Sequence, residues 1–528
     1  MFYLLIVLCP LVKAQTVTVS GLQSGTWDAD TVLVVGNVEV DGSLEVMPGT
    51  VVLFDGFYSI AVGSGDEFVA QGAETDSVIF TVADTTGFYI YNIGVGGWNG
   101  FQIDEAERFF MNYCVLEYGK AADTLDRFGG ALCINRCDDV EIRNSTLRCN
   151  FSREQGGAIY AIDSDVTVSD CRINENQVYT GDNVFAMYGG GAQFFKCDVI
   201  MTGIEFHANY APSCIGGALS IDSSAVFLDR AVFTDNYGLN GGGMYIMRCN
   251  HKECHMSNLL FDSNISGHFA GGLAFKDASP DVNNILVTNN ESIGVSCSGV
   301  FFYNNCSPKM NNCIVYSNYW KDTSIIPDTI QMLDTVQMWV WHYDDGYAPE
   351  FRNCLVEGGL KKIRGNEYIT VFEDVIDTDP LFVDFEGHDF RLRPNSPCVD
   401  AGLATTPSYV LEGMDLEGNA RVINGRIDMG PYECLTASVR HQDAALSFAQ
   451  LIGNPLGVHS RIEFDRPMEG EVILSVYAVT GRCAASKAFN LEGSRTLGIG
   501  GLVEGLAPGI YLIKVSVKEE ACVLKAIR

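Results

Sequence analysis

The stretch GGALSIDSSAVFLDRAVFTDN, residues 216–236, opens on a glycine pair and closes on Phe-x-x-Asn, and the same pattern returns along the chain. Glycine pairs stand at Gly129-Gly130-Ala131, Gly156-Gly157-Ala158, Gly190-Gly191-Ala192, Gly216-Gly217-Ala218, Gly242-Gly243-Met244 and Gly271-Gly272-Leu273, with a weaker copy at Ser298-Gly299-Val300. Each is followed by an apolar residue, two variable ones and Asn: Leu147/Asn150, Ile173/Asn176, Phe206/Asn209, Phe233/Asn236, Phe261/Asn264, Val287/Asn290 and Val315/Asn318. Successive asparagines lie 26, 33, 27, 28, 26 and 28 residues apart. A period in this range is the mark of a solenoid. Within each copy the apolar period is two. Five residues before each Asn stand Ser145, Cys171, Ile204, Ala231, Leu259, Ile285 and Cys313, alternating with the apolar slot three before. Both sets face one side of a strand. Coils of short strands without helical stretches predict an all-β chain folded as a right-handed parallel β-helix.

In this reading each Gly pair takes a sharp bend, because glycine reaches positive φ without steric cost. The Asn is expected at another bend, in the left-handed conformation, stacked on its equivalents and hydrogen-bonded along the solenoid. Phosphate-loop chemistry is excluded, since no Lys-Ser/Thr follows any pair in the required spacing.

The 528 residues carry 34 basic and 66 acidic side chains, a net charge of 34 − 66 = −32. That balance argues against nucleic-acid and acidic-lipid partners, which need clustered Lys and Arg, and against an unaided groove for polyanionic sugars. The opening MFYLLIVLCPLVKAQ has a secretory signal's apolar core and a small-residue site at Val12-x-Ala14. Cleavage is expected between Ala14 and Gln15. No later apolar run is long enough to span a membrane as a helix. Of 18 cysteines, Cys171 and Cys313 share a slot with Ile, Leu and Ala. They are expected to be core residues, as are Cys114 and Cys354, with a disulfide framework as the alternative.

The Gly-Gly-Ala and Phe-x-x-Asn repeats resemble those of chlamydial-type polymorphic outer membrane proteins and related bacterial β-helix proteins. VLVVGNVEVDGSLEVMPGTVVLFDG (32–56), FVAQGAETDSVIFT (68–81) and GGWNGFQI (96–103) resemble the opening rungs of secreted β-helix repeat proteins. These resemblances imply a pectin-lyase-like solenoid, with a cap and first coils over 15–118 and repeats over 119–378. Residues 379–434 resemble a choice-of-anchor Q segment through Asp379-Pro380-Leu381-Phe382, Ser396-Pro397-Cys398-Val399-Asp400-Ala401-Gly402 and Asp428-Met429-Gly430. Such a segment is expected to act as a lid over the open end of the helix. A linker, 435–450, leads to residues 451–528, which read as a small β-sandwich. They resemble the C-terminal sorting domain of type IX secretion cargo through Asn454-Pro455, Tyr477, Gly481-Arg482, Pro508-Gly509 and Tyr511, followed by a basic tail. With the signal peptide read over 1–14, the resemblance implies a Bacteroidetes-type Gram-negative source, the type IX machinery as a partner, and a secreted or cell-surface location.

Three sets of residues carry candidate chemistry. Asp138-Asp139 and Asp344-Asp345 are carboxylate pairs of the kind a glycoside hydrolase uses, although neighbours along a strand point to opposite faces. Cys249, His251, Cys254 and His255 are ligand types for zinc or copper, set in what also reads as a polar loop. The segment 318–350 is rich in Trp and Tyr, residues that stack on sugar rings. No catalytic, cofactor or metal residue is assigned. Calcium has no motif to hold it. The expected function is adhesion or the binding of a glycan or cell-wall surface, with a polysaccharide lyase or glycoside hydrolase as the alternative.

Overall fold

The strand that follows each glycine bend pairs in parallel with its equivalent one coil on. Leu132–Asn135 pairs with Ile159–Ile162, then Ala192–Phe195, Leu219–Asp222, Met244–Met247, Leu273–Lys276, Cys297–Tyr303 and Val336–Trp341. This computed structural model describes residues 15–90, 94–122, 128–179, 187–250, 254–294, 297–321, 336–342, 346–403, 413–423, 425–435, 449–452, 456, 460–478, 483–506, 510–517 and 520–527. The chain forms two units, Met1–Leu435 and Thr436–Arg528. The first is a parallel β-helix with one continuous hydrophobic core. As the two-residue period requires, Ile204, Ala231, Leu259 and Ile285 point inward together with Phe206, Phe233, Phe261 and Val287. Phe206, Phe233 and Phe261 stack nearly parallel at 4.9 and 4.6 Å.

The repeat asparagines form a buried ladder. The side-chain amide of each donates to the Oδ1 of the next: Asn150 to Asn176 at 2.9 Å, Asn176 to Asn209 at 3.0 Å, Asn209 to Asn236 at 2.9 Å and Asn236 to Asn264 at 2.8 Å. It continues through Asn290 and Asn318 to Gln337, which fills the slot with one more methylene and ends on Glu357 at 2.8 Å. The expected left-handed backbone, however, falls one residue earlier, on Cys149, Glu175, Ala208, Asp235, Ser263, Asn289 and Ser317. The asparagine itself is chosen for its amide, because a buried backbone N–H and a buried carbonyl both need a partner here.

The glycine bend also needs a correction of register. Backbone bonds align Gly129, Gly156, Gly189, Gly216, Gly241 and Ala270. The true pair is therefore 189–190, 241–242 and 270–271 where three small residues run together. Its two members answer different demands. Gly156 has φ +60°, and the Cβ of Gly157 would lie 2.1 Å from the Gly190 carbonyl of the next coil.

Cys114, Cys171, Cys313 and Cys354 are buried as expected, and none of the four is in a disulfide. The described part of residues 379–434 is seen on the side of the solenoid. It packs along the flank, burying Phe382, Phe390, Val399 and Met429 against Leu260, Leu286, Ile314 and Leu355. Those four continue an outward ladder that is polar at Arg172 and Glu205 and turns apolar from Val232 onward. A second set of asparagines, Asn258, Asn284, Asn312 and Asn353, each with positive φ, holds the segment in place. Asn258 donates to Met414 O at 2.9 Å, Asn284 to Asp428 O and Gly430 O at 2.9 and 3.1 Å, and Asn353 to Ala401 O at 2.9 Å. The Asn312 side chain accepts the Leu403 N–H at 2.6 Å.

Among the described residues the second unit forms a five-stranded antiparallel sheet. Its long strand Arg461–Ala478 pairs along one edge with Cys483–Gly498. Along the other edge it pairs first with Ala449–Ile452 and then with Ile510–Val517. Alternate residues Val472, Leu474 and Val476 are buried with Ile513 and Val515.

Candidate functional site

Strand Val336–Trp341 alternates from Met338 onward. Met338 and Val340 point into the core, and Trp339 and Trp341 point out. Register places them in two outward ladders on one sheet face. Tyr245, Ala274, Phe301, Trp339 and Arg364 form the first, and Met247, Lys276, Tyr303 and Trp341 the second. The indoles of Trp339 and Trp341 lie 5.2 Å apart, only 11° from parallel. Phe269, from the adjoining strand Ile265–Phe269, stacks on Phe301 at 4.5 Å and meets Trp339 edge-on at 5.5 Å. Tyr303 meets Trp341 edge-on at 5.9 Å. Tyr245 and Phe301 are buried beneath the cluster, while Phe269, Tyr303, Trp339 and Trp341 are half-buried. Burial pushes the Tyr245 phenol well above its ordinary range, so it stays neutral.

Cations sit on the rings. The guanidinium of Arg364 lies 3.9 Å from the Trp339 centroid, Lys276 Nζ 5.7 Å from Tyr303, and Lys196 Nζ 5.0 Å from Phe195 on the same face. At one border His342 donates from Nδ1 to the Asn304 carbonyl and meets the Tyr368 ring edge-on at 5.4 Å. Burial lowers its pKa, with the carbonyl bond opposing. The face is a rigid, partly wet aromatic platform, suited to stacking against flat, partly apolar ligand surfaces.

A second concavity lies beside the flank segment. It is a cleft of about 610 Å³, lined by Asp170, Glu205, Arg230, Thr234, Glu417 and Tyr432 among others. Glu205 pairs with Arg172 at 3.1 Å. The Tyr432 phenol is raised by burial first and then by nearby carboxylates, Glu417 foremost.

The residues singled out in the sequence scatter. Asp138 and Asp139 are both exposed in a bend, with Asp139 3.7 Å from Arg108. Asp344 and Asp345 lie outside the described residues, as does His251. Cys249 and Cys254 point into the core, where both thiols donate to Ser224 O at 3.3 and 3.4 Å. His255 faces the other way, 3.7 Å from Asp281. Among the described residues no three His, Cys, Asp or Glu side chains group as metal ligands. Gln15 is exposed, and its backbone N–H donates to Asp30 at 2.7 Å. Ala14, Asn454, Pro455, Gly481, Arg482, Pro508 and Gly509 are outside the described residues. Tyr477 is half-buried in the long strand of the second unit, and Tyr511 is buried opposite Ala478. Among the described residues no helix is long and apolar enough to cross a membrane. Of the aromatic segment 318–350, residues 336–342 supply the site. Phe269, Phe301, Tyr303, Lys276 and Arg364 join them from other coils. Their sequence signal was the outward alternation in GVFFYN and VQMWVWH, legible only once register was known.

No family model matches the chain, and no curated protein matches its sequence.

Proposed function

We propose that this chain is an exported bacterial surface protein whose β-helix presents a glycan-binding face, serving adhesion or the holding of a cell-wall polymer. The parallel Trp339–Trp341 pair, ringed by Phe269, Phe301 and Tyr303, supports the reading. Aromatic side chains fixed on a stacked sheet offer flat surfaces at low entropic cost, which is what the C–H face of a sugar ring needs. The signal-like first 14 residues and the motifs around Asn454, Tyr477, Arg482, Pro508 and Tyr511 support export through type IX secretion to the outer surface of a Bacteroidetes-type cell. The resemblance of 379–434 to a choice-of-anchor Q segment fits the same setting.

The test is a panel of extracellular polysaccharides, scored for retention and for cleavage together. Wild type is expected to bind at least one without releasing products, and Trp339→Ala/Trp341→Ala to lose retention by tenfold or more. Equal retention by the double variant would remove the face from the reading.

A second reading, a polysaccharide-cleaving enzyme, draws on the cleft where Glu205 and Glu417 line one concavity with Tyr432. It requires product release that Glu205→Gln or Glu417→Gln abolishes.

A further inference from the structure

We propose that the glycan taken by the aromatic face is acidic, and that Arg364 reads its anionic group, a uronic carboxylate or a sulfate ester. This rests on the glycan reading of the face. With 66 acidic residues to 34 basic ones, an exposed arginine on the solenoid is normally met by a carboxylate. Arg136 lies 2.8 Å from Asp104, Arg148 2.7 Å from Glu117, and Arg172 3.1 Å from Glu205. Arg364 is different. It is exposed and lies over Trp339, and among the described residues no carboxylate stands within ion-pair distance of it. Lys276 and Lys196 are likewise placed over rings. Asp277, next to Lys276, is engaged instead by the Asn304 side chain and the Asn305 backbone N–H, both at 3.4 Å.

Geometry gives Arg364 a use. A guanidinium stacked on an indole has one face dried and its orientation held, while its N–H donors lie in plane around the rim. That rim matches carboxylate and sulfate oxygens two at a time. The ring beneath continues as the Trp339–Trp341 stack, so an acidic sugar can set its ring on the indoles and its anion on the fork. Register spaces the face regularly. The rungs that carry Lys196, Lys276 and Arg364 are three apart in succession, an axial rise of roughly 14 Å per interval at the usual strand spacing, with Lys276 in the Tyr303 ladder and Arg364 in the neighbouring Trp339 ladder. A linear polymer lying along the solenoid axis would meet cations at that interval.

The net charge of −32 repels a polyanion at long range. At physiological salt that repulsion is screened beyond about 8 Å, whereas the stacked fork acts at contact. Binding of a short acidic oligosaccharide is therefore expected to be stronger at about 0.15 M than at about 0.01 M salt, the reverse of a basic groove.

The experiment uses the full mature chain and calorimetric titration. Its arms are an oligogalacturonate, a sulfated galactan oligosaccharide, the desulfated galactan and poly-glutamate, with wild type, Arg364→Gln, Arg364→Lys and Trp339→Ala/Trp341→Ala. Expected is binding of one or both acidic glycans. Arg364→Gln should weaken it by about tenfold or more. Arg364→Lys should not restore it, and the double tryptophan variant should abolish it. Which acidic arm binds identifies carboxylate or sulfate as the source. Equal affinity for the neutral galactan, unchanged by Arg364→Gln, overturns the acidic assignment and leaves the glycan face standing. No binding of any glycan overturns both readings. Poly-glutamate bound as tightly as the glycans, with the same sensitivity to Arg364→Gln, overturns the proposal in favour of an acidic protein partner. Arg364 is exposed, so unfolding midpoints of its variants should match wild type and keep these outcomes readable.

Discussion

Asn236→Ala tests whether the amide ladder, and not the apolar core alone, fixes one coil on the next. Asn236 Nδ2 donates to Asn264 Oδ1 at 2.8 Å and to Phe206 O at 3.0 Å, and its Oδ1 accepts the Asn209 backbone N–H at 3.0 Å and the Asn209 amide at 2.9 Å. Truncation leaves two donors of Asn209 without partners in a site from which water is excluded. Each stranded buried group costs on the order of 1–3 kcal/mol, and the vacated amide adds a cavity cost of similar order. The expected loss is about 3–9 kcal/mol, toward the lower end if water enters the gap. The control is Asn135→Ala, whose side chain makes a single bond to Asp104 at 2.7 Å near the surface and should cost no more than about 1 kcal/mol. Guanidinium unfolding followed by circular dichroism gives the global effect. Since a solenoid can unfold piecewise, hydrogen exchange at the Asn209 amide gives the local one, and its protection should fall first. If the two variants unfold within about 1 kcal/mol of each other and the Asn209 amide stays protected, the ladder is an ornament of the fold and the reasoning fails.

Two further predictions concern the flank segment. Burial lifts the Glu433 carboxyl from its ordinary 4.5 to about 8, with Arg421 opposing and Asp428 and Asp415 adding to the rise. A carboxyl raised in the folded state gives stability that is present below its unfolded pKa and lost as pH climbs through the folded one. Wild type should therefore lose stability relative to Glu433→Gln between about pH 4.5 and 8, and parallel pH profiles of the denaturant midpoint would refute this. Asn284→Ala removes both bonds to the carbonyls of Asp428 and Gly430. It should make 379–434 the first region cut in limited proteolysis, and an unchanged cleavage pattern would count against the asparagine grip.

The solenoid was legible because its repeat is a local signal. Phe206, Phe233 and Phe261 recur at one slot, and a slot of alternating side chains can only be a strand face. Misreadings came where neighbouring residues compete for one role. In the runs Gly189–Gly191 and Gly241–Gly243, sequence alone cannot say which two glycines bend, because the deciding contact is with a carbonyl of another coil. At the second bend, Asn and the residue before it both tolerate the left-handed region. Buried carbonyls and amides, not φ, then decided where the asparagine belongs. The aromatic site was half legible. Trp339 and Trp341 stood out, but Phe269, Phe301 and Arg364 come from three other strands, and only inter-coil register brings them together.

That register offers a more general way to read such a chain. Inward slots of a β-helix are apolar whatever the protein does, so they carry no functional signal. Outward slots are free to be polar, and an apolar run there marks a surface that something covers or grips. On the flank, the ladder passes from Arg172 and Glu205 to Val232, Leu260, Leu286, Ile314 and Leu355, and the apolar part is where residues 379–434 lie. There the outward residues are aliphatic and the adjoining turns carry amide side chains that bind the segment's backbone. On the second face the ladder passes from Gln193 and Ser220 to Tyr245, Ala274, Phe301 and Trp339, and all the replacements but Ala274 are aromatic, with a cation set on Trp339. The chemistry differs as the occupants should. Aliphatic slots with backbone-binding asparagines suit a fixed segment of the same chain. Half-buried indoles with a stacked guanidinium suit an exchangeable ligand that presents a ring face and an anion.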